Sequence, residues 1–158
     1  MIILNNNKIT YNSINDIPDD EQELIKNAFM ATNNSYAPYS NFHVGAALLL
    51  GNGTIIKGSN QENAAYPSGL CAERVAIFHV MNSYSDQKIK KIAITARKKD
   101  STDYIPASPC GGCRQVMLEQ EQKQQEKIEV IFQSNGNWMK VFTIMELLPF
   151  SFDKNSLK

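Results

Sequence analysis

The spacing of apolar residues in the first half of the chain predicts one helix followed by a β-hairpin. Residues 19–35, DDEQELIKNAFMATNNS, start with acidic residues and then carry apolar side chains at helical spacing. Both features favour a helix, because carboxylates stabilise a helix N-terminus. The apolar runs HVGAALLL (43–50) and TIIKGSN (54–60) flank Gly51, Asn52 and Gly53, so they predict two strands joined by a tight turn.

The second half alternates between predicted helices and predicted strands. Helices are expected from Ala72 to about Tyr84 and from Cys110 to about Gln124. Residues 97–109 are expected to be an exposed connection, and MELLPFSF (145–152) a short terminal helix ended by Pro149. The predicted strands are KIAITA (91–96), KIEVIF (127–132) and MKVFTI (139–144). This alternation predicts an α/β sandwich.

The chain shows no internal repeat and no second domain. Residues 1–20 are polar and rich in asparagine after a weak apolar opening, so we interpret them as an N-terminal extension or edge segment. Residues 21–158 are then a single domain, and a chain of 158 residues is long enough to bury a core of its own.

Composition and charge exclude several classes of partner. The 16 basic residues are balanced by 16 acidic ones, so no strong field favours a nucleic acid or an anionic membrane. The longest apolar stretch, Val44 to Leu50, is too short to cross a bilayer. The first residues have no basic segment before their apolar ones, unlike a secretory signal, and a cytoplasmic location is expected.

Three cysteines carry the strongest chemical signal. Cys110 and Cys113 form a Cys-x-x-Cys pair, which by itself indicates either metal binding or thiol redox chemistry. Cys71 stands at the start of one predicted helix and the pair at the start of the next, where free N–H groups favour thiolates. Three thiolates with no obvious fourth protein ligand suit a catalytic zinc site with one open position. His43 and His79 are better explained as an ordinary strand residue and an ordinary helix residue.

Two charged residues follow Cys71 closely. Glu73 could move protons beside a zinc-activated water without binding the metal. Zinc with three thiolates has a formal charge of −1, and a guanidinium bonded to sulfur would offset it. Arg74 is placed for this role, and Arg114 could contribute similarly.

The joint pattern resembles the small homotetrameric cytidine deaminases with a three-cysteine zinc site. The resemblance runs from about Tyr36 to Phe152, through YAPYSNFHVGAALL, NQENAAYPSGLCAERVAIF, PCGGCRQVMLE and ELLPFSF, in the order of that family. It implies a three-layer α/β/α sandwich around a five-stranded mixed sheet. It also implies hydrolysis of cytidine and deoxycytidine to uridine and deoxyuridine in pyrimidine salvage. The resemblance implies that ammonia is released and that a zinc-bound hydroxide is the nucleophile. It also implies a homotetramer with active sites at subunit borders.

The resemblance assigns roles to individual residues. Cys71, Cys110 and Cys113 would hold one zinc per chain, Glu73 would be the proton shuttle, and Arg74 would support the ligands. The residues implied for substrate binding are Phe42 under the pyrimidine, Asn60 and Glu62 at the ribose, Tyr66 in the same motif, Ala72 through its backbone, and Phe152 reaching a neighbour's site. In an extended segment Asn60 and Glu62 would also point to one side and offer both a donor and an acceptor.

Other functions remain open at this stage. A deaminase of another aminopyrimidine nucleoside, such as blasticidin S, would share the zinc motifs, although the NQENAAY segment favours a plain nucleoside. Neutral charge disfavours a nucleic-acid editing enzyme. A non-enzymatic zinc module would need a fourth ligand, and a thioredoxin-like protein would lack the partner Cys-x-Glu.

Overall fold

A single mixed sheet forms the centre of the fold in this computed structural model, which describes residues 2–5 and 7–158, with side chains from residue 7 onward. Seven strands are arranged in the order β1-β2-β7-β6-β5-β3-β4. Only β5 and β6 run parallel; the other neighbours are antiparallel. The strands are β1 (Ile2–Asn5), β2 (Lys8–Tyr11), β3 (Phe42–Leu50), β4 (Ile55–Ser59), β5 (Ile89–Lys98), β6 (Glu129–Ser134) and β7 (Asn137–Val141).

The α/β class is confirmed, but the expected count of five strands is wrong. The five expected strands are present as β3 to β7, and the hairpin β1–β2 extends the sheet beside β7. Tyr11 at the end of β2 lies opposite Trp138 on β7, and both side chains are buried. This apolar pairing holds the hairpin in the sheet. The sequence interpretation of residues 1–20 as an extension or edge segment allowed this edge position but did not predict two paired strands.

Three helices cover the two faces of the sheet, as expected for three layers. Helix α1 (Asp19–Ala31) lies on one face, and α2 (Ala72–Ser83) and α3 (Gly111–Gln124) lie on the other. Alternation along β3 separates the two cores, because Leu48 packs with the α2 and α3 side chains and Ala47 with those of α1. The predicted helices and the hairpin turn, with Gly53 at φ +86°, are therefore confirmed.

Two glycines let helices approach the sheet closely. A Cβ at Gly45 on β3 would collide with the backbone oxygen of Ala28 in α1. A Cβ at Gly58 on β4 would collide with the oxygen of Ala72 and would lie 2.7 Å from the nitrogen of Ala76, both in the first turns of α2. The absence of a side chain at Gly58 thus places the start of α2 directly against β4.

Two local predictions from the sequence are wrong. Residues 145–152 form no terminal α-helix: a short 3-10 helix, Ile144–Glu146, is followed by turn and coil as far as Phe152. The connection after β5 is only partly exposed. Its Tyr104 packs between Phe29 and Trp138, with ring centroids at 4.6 and 5.3 Å, and so closes the α1 side of the core.

Among the described residues, no helix is long and apolar enough to cross a membrane.

Candidate active site

The three cysteines converge on one point at the N-termini of α2 and α3. The Sγ atoms of Cys71, Cys110 and Cys113 all lie within 4.8 Å of one another, and those of Cys71 and Cys110 are 3.8 Å apart. Thiolates about 2.3 Å from zinc at the corners of a tetrahedron are separated by about 3.8 Å. The donor set and its spacing therefore suit zinc, with three corners supplied by this chain.

Both helices begin directly at the cysteines. Cys71 precedes the first residue of α2 in extended backbone (φ −70°, ψ 154°), and Cys110 does the same for α3 (φ −68°, ψ 164°). Neither N-terminus is capped by its cysteine side chain, so N–H groups of both first turns stay available beside the sulfurs. Cys113, one turn into α3, is fully buried beneath the other two.

The three sulfurs shift one another's pKa values. Hydrogen bonding from the Cys113 thiol, assisted by Arg74, lowers the pKa of Cys71 to about 5. The negative Cys71 sulfur and burial raise the pKa of Cys113. A cation at the centre of this cluster would favour the thiolate form of all three.

Glu73 lies in the first turn of α2 with only 3 % of its surface exposed. Burial raises the pKa of its carboxyl to about 7, because the ionised form is poorly solvated there. The side chain lines the cavity next to Cys71 and Cys110. A carboxyl with a pKa near neutrality can both accept and donate a proton at working pH.

The two arginines that follow the cysteines have different surroundings. The Nη2 of Arg74 donates to the Sγ of Cys71 at 3.7 Å, as expected from the sequence. Arg114 donates instead to two backbone oxygens, those of Pro109 and Leu147, each at 2.8 Å. The expected contribution of Arg114 at sulfur is therefore wrong: this residue ties the start of α3 to the C-terminal segment.

A cavity of about 820 Å³ opens above the sulfurs. It is wide enough for a small organic molecule and has apolar walls with a few polar groups, as ligand pockets usually do. Its lining residues come from the loop before β3, from β3 and β5, from the segment after β4 and from both helix starts. The sequence-predicted residues among them are Phe42, Asn60, Glu62, Tyr66, Cys71, Glu73, Arg74 and Cys110.

Asn60 and Glu62 both reach the cavity, but each is already hydrogen-bonded within the chain, Asn60 to the start of β3 and Glu62 to the loop before β3. The Asn60 amide accepts from the nitrogen of Val44 at 2.8 Å and donates to the oxygen of Phe42 at 2.9 Å. The Glu62 carboxylate accepts from the nitrogen of Tyr39 at 2.9 Å and from the hydroxyl of Ser40. The bond from Ser40 is the main reason that the pKa of Glu62 lies below its usual value.

Two predicted substrate residues do not line this cavity. Ala72 is fully buried as the first residue of α2, between the cavity-lining Cys71 and Glu73 in the chain. Phe152 lies elsewhere on the surface with 60 % of the residue exposed. Its backbone oxygen accepts from the Nε2 of Gln115 at 2.9 Å, so α3 holds the chain at this point.

Sequence reasoning missed several residues of the cavity wall. Tyr39 and Ser40 were not predicted: the Tyr39 ring meets the predicted Tyr66 with centroids 5.9 Å apart, and Ser40 contacts Glu62. YAPYSNF carried only the signal of a turn-rich loop, and no local spacing connects Ser40 to a residue 22 positions later. The remaining residues of the wall are Val44, Gln61, Asn63, Gly69, Leu70, Ile94, Ala107 and Ser108.

Most of the chain matches the model of one known family. Residues 18–126 match the model described as "Cytidine and deoxycytidylate deaminase zinc-binding region". The matched range contains all three cysteines, Glu73, and every residue lining the cavity.

Individual relatives agree with the family match. A cytidine deaminase of Halalkalibacterium halodurans is 41 % identical over 135 residues, which cover 84 % of this chain and 94 % of that protein. One from Sporosarcina psychrophila is 37 % identical over 138 residues, covering 87 % and 95 %. The crystal structure of cytidine deaminase from Burkholderia pseudomallei superposes with a TM-score of 0.69 at 34 % identity, covering 86 % of this chain and all of that one.

Proposed function

The chain belongs to the cytidine and deoxycytidylate deaminase family of zinc-binding enzymes, and from this premise we propose its substrates and mechanism. The proposed reaction is hydrolysis of cytidine and deoxycytidine to uridine and deoxyuridine, with release of ammonia, in pyrimidine salvage. The observation that carries the proposal is the cluster of three cysteine sulfurs beside one cavity, whose wall includes Cys71, Cys110 and the buried Glu73.

Cys71, Cys110 and Cys113 would hold one zinc ion per chain in this proposal. When bound, zinc would supply a Lewis acid that makes a water molecule nucleophilic near neutral pH. Arg74, bonded to the sulfur of Cys71, would offset part of the negative charge of three thiolates. The same contact orients the Cys71 side chain toward the other two sulfurs.

Glu73 is the proposed proton carrier. It takes a proton from the attacking water while the water oxygen bonds to C4 of the pyrimidine, and it delivers that proton to N3. The second water proton then passes through Glu73 to the departing amino group, which leaves as ammonia. The pKa of about 7 caused by burial suits a group that must gain and lose a proton in each turnover.

The cavity walls suggest how a nucleoside would be held. We propose that Phe42 packs on the pyrimidine face, that backbone groups of Ala72 and Cys110 meet the base edge, and that Tyr66 closes the rim. Glu62, an acceptor when ionised, would bind a sugar hydroxyl. Asn60 would contribute its second amide hydrogen, since its oxygen and its other hydrogen are bonded to the chain.

The charges of the cavity favour a nucleoside over a nucleotide. Among the described residues that line it, the charged ones are Glu62, Glu73 and Arg74, and Arg74 is engaged with Cys71. A 5′-phosphate would therefore meet two carboxyl groups and no free cation among the described lining residues. We expect deoxycytidylate to be a poor substrate.

The proposal extends to assembly, domain limits and location. We propose a homotetramer in which Phe152 of one chain covers the cavity of another. The exposed ring on a backbone held by Gln115 supports this arrangement. We propose that residues 21–158 form one zinc deaminase domain, with residues 1–20 as an N-terminal extension or edge segment. A cytoplasmic location, where thiols stay reduced, would suit three unpaired cysteines.

Ammonia release from purified protein tests the proposed reaction directly. Cytidine, deoxycytidine, deoxycytidylate and blasticidin S are compared at equal concentration. We expect turnover of the first two and at least tenfold lower efficiency with deoxycytidylate. Preferential turnover of blasticidin S would replace the proposal by an antibiotic deaminase with the same zinc chemistry, and preferential turnover of deoxycytidylate would contradict the charge argument.

A further inference from the structure

A single serine connects the two walls of the cavity that would face a nucleoside. The hydroxyl of Ser40 donates to the carboxylate of Glu62 and accepts from the backbone nitrogen of Phe42 at 3.0 Å. The backbone nitrogens of Tyr39 and Ser40 also donate to the same carboxylate, at 2.9 and 3.3 Å. Glu62 is thus held by three donors from one short loop.

The loop itself is folded so that these donors face Glu62. The nitrogen of Asn41 donates to the oxygen of Ala37 at 3.1 Å, and Asn41 has a positive φ of 53°, which asparagine tolerates better than most residues. Tyr36 exchanges backbone bonds with the segment after β4: its nitrogen donates to Asn60 at 3.0 Å, and its oxygen accepts from Glu62 at 2.8 Å. The turn therefore lies directly against the acceptor residue.

We propose that Ser40 is a positioning residue for substrate: it fixes the Glu62 carboxylate in the orientation that accepts a hydrogen bond from the 2′- or 3′-hydroxyl of the nucleoside sugar. The inference rests on the proposed function of the cavity. An ionised carboxylate only accepts hydrogen bonds, so its ligand must present a donor, and sugar hydroxyls are the donors that a nucleoside offers.

Ser40 acts through orientation, not through contact with the reacting atoms. Glu62 is partly exposed, and a free glutamate there would sample several rotamers that binding must then restrict. The hydroxyl of Ser40 removes this freedom in advance. Because it also binds the nitrogen of Phe42, it sets the distance between the acceptor and the aromatic wall.

Steady-state kinetics of Ser40→Ala test this role. We expect KM for cytidine and deoxycytidine to rise about tenfold, the scale of one hydrogen bond to a charged group, with kcat within about twofold of wild type. Ser40→Thr keeps the hydroxyl and should restore most of the loss. Ser68→Ala is the matched control, since the Ser68 hydroxyl, which makes no hydrogen bond among the described residues, lies outside the cavity wall.

Two further measurements separate positioning from a general structural role. With 2′,3′-dideoxycytidine, which lacks both hydroxyls, Ser40→Ala should match wild type. In a Glu62→Gln background, Ser40→Ala should change KM by less than about twofold, because the carboxylate that it positions is gone. Equal KM penalties with dideoxycytidine and cytidine, or full additivity with Glu62→Gln, would overturn the inference.

Control measurements make the remaining outcomes decisive. Zinc content and the thermal midpoint of Ser40→Ala should equal those of wild type. A variant that loses its fold would show that the serine holds the loop rather than the carboxylate, and would also overturn the inference. A wild-type protein that releases no ammonia from cytidine would overturn the proposed function and the positioning role together. An active wild type with unchanged KM in Ser40→Ala would overturn the positioning role alone.

Discussion

Three thiols within 4.8 Å of one another, two of which line the cavity, determine the chemistry available there. Thiolates, unlike neutral thiols, are strong ligands for a divalent metal ion, and the two helix N-termini favour the thiolate form. Arg74 adds a positive group at one sulfur. These residue-level features make metal content the first quantity to measure.

We predict one zinc ion per chain, lost when Cys113 is changed to alanine. Cys113 is buried beneath the other two sulfurs, so its removal leaves two ligands and an open floor. Elemental analysis and thiol titration measure the effect: the native protein should protect its thiols, and the protein stripped by chelator should titrate three. The control His79→Ala, on the exposed side of α2, should keep its zinc. Native protein with no zinc and three freely titrating thiols would contradict the prediction.

The second residue-level prediction concerns Glu73→Gln. Glutamine keeps the size and the hydrogen-bonding capacity of the side chain but cannot carry a proton. We expect turnover of cytidine to fall at least about a hundredfold, the lower end for a lost general acid–base group, while zinc content and nucleoside binding persist. Calorimetric binding and single-turnover kinetics separate these quantities. Near-normal turnover would assign the proton transfers to another group.

At the level of elements, the site depends on how closely α2 lies against β4. Cys71, Ala72 and Glu73 move together with the first turn of this helix, and Gly58 sets its distance from the sheet. Cys110 and Cys113 belong to a different helix with its own support on the sheet. A small displacement of α2 would therefore separate Cys71 from the other two ligands.

We predict that Gly58→Ala destabilises the fold and weakens zinc binding together. The added methyl group would meet the oxygen of Ala72, and overpacking of this kind costs about 1–3 kcal/mol of the free energy of unfolding. Chemical denaturation with and without zinc, and a zinc titration, give the two values. Gly51→Ala is the matched control, because its Cβ would meet only the side chain of Lys90, at 3.5 Å, and the oxygen of Lys88, at 3.8 Å. If Gly58→Ala is destabilised but binds zinc with unchanged affinity, the position of α2 against β4 does not determine the arrangement of the zinc ligands.

At the scale of the whole molecule, the cavity of one chain is wide and open at its rim. Three side chains of α3 hold the C-terminal segment: Arg114 donates to the backbone oxygen of Leu147, Gln115 to that of Phe152, and Gln122 to the carboxylate of Asp153 at 3.0 Å. The rings of Phe150 and Phe152 remain exposed nearby. Apolar rings held in this way are typical of surfaces that contact another chain.

We predict a homotetramer with shared sites, and mixed chains can test it. Glu73→Gln and Phe152→Ala chains should each be weakly active alone. Refolded together, they should recover activity, because some sites then combine an intact Glu73 with an intact Phe152 from a neighbour. Sedimentation measures assembly, and a mixture of two Glu73→Gln preparations is the control. An active monomer, or no recovery despite proven co-assembly, would remove the shared site.

The sequence by itself determined the helices, the hairpin, five of the seven strands and the identity of the chemical groups. Apolar periodicity reports which side of an element is buried, and the cysteines at two helix starts, with Glu73 and Arg74, form a pattern that few chemistries require. The pairing of β1 and β2 with the sheet was not predicted, because it depends on a long-range contact between Tyr11 and Trp138. The polar composition of the segment does not indicate this contact.

Only the tertiary structure decided which side chains share the cavity and what each is bonded to. It brought Ser40 to Glu62, engaged the Asn60 amide with β3, and directed Arg114 to backbone oxygens instead of sulfur. It also placed Glu73 where burial raises the pKa of its carboxyl to about 7. Hydrogen bonds between distant segments and the loss of water around a charge depend on how the packed elements meet, and no spacing along the chain encodes either one directly.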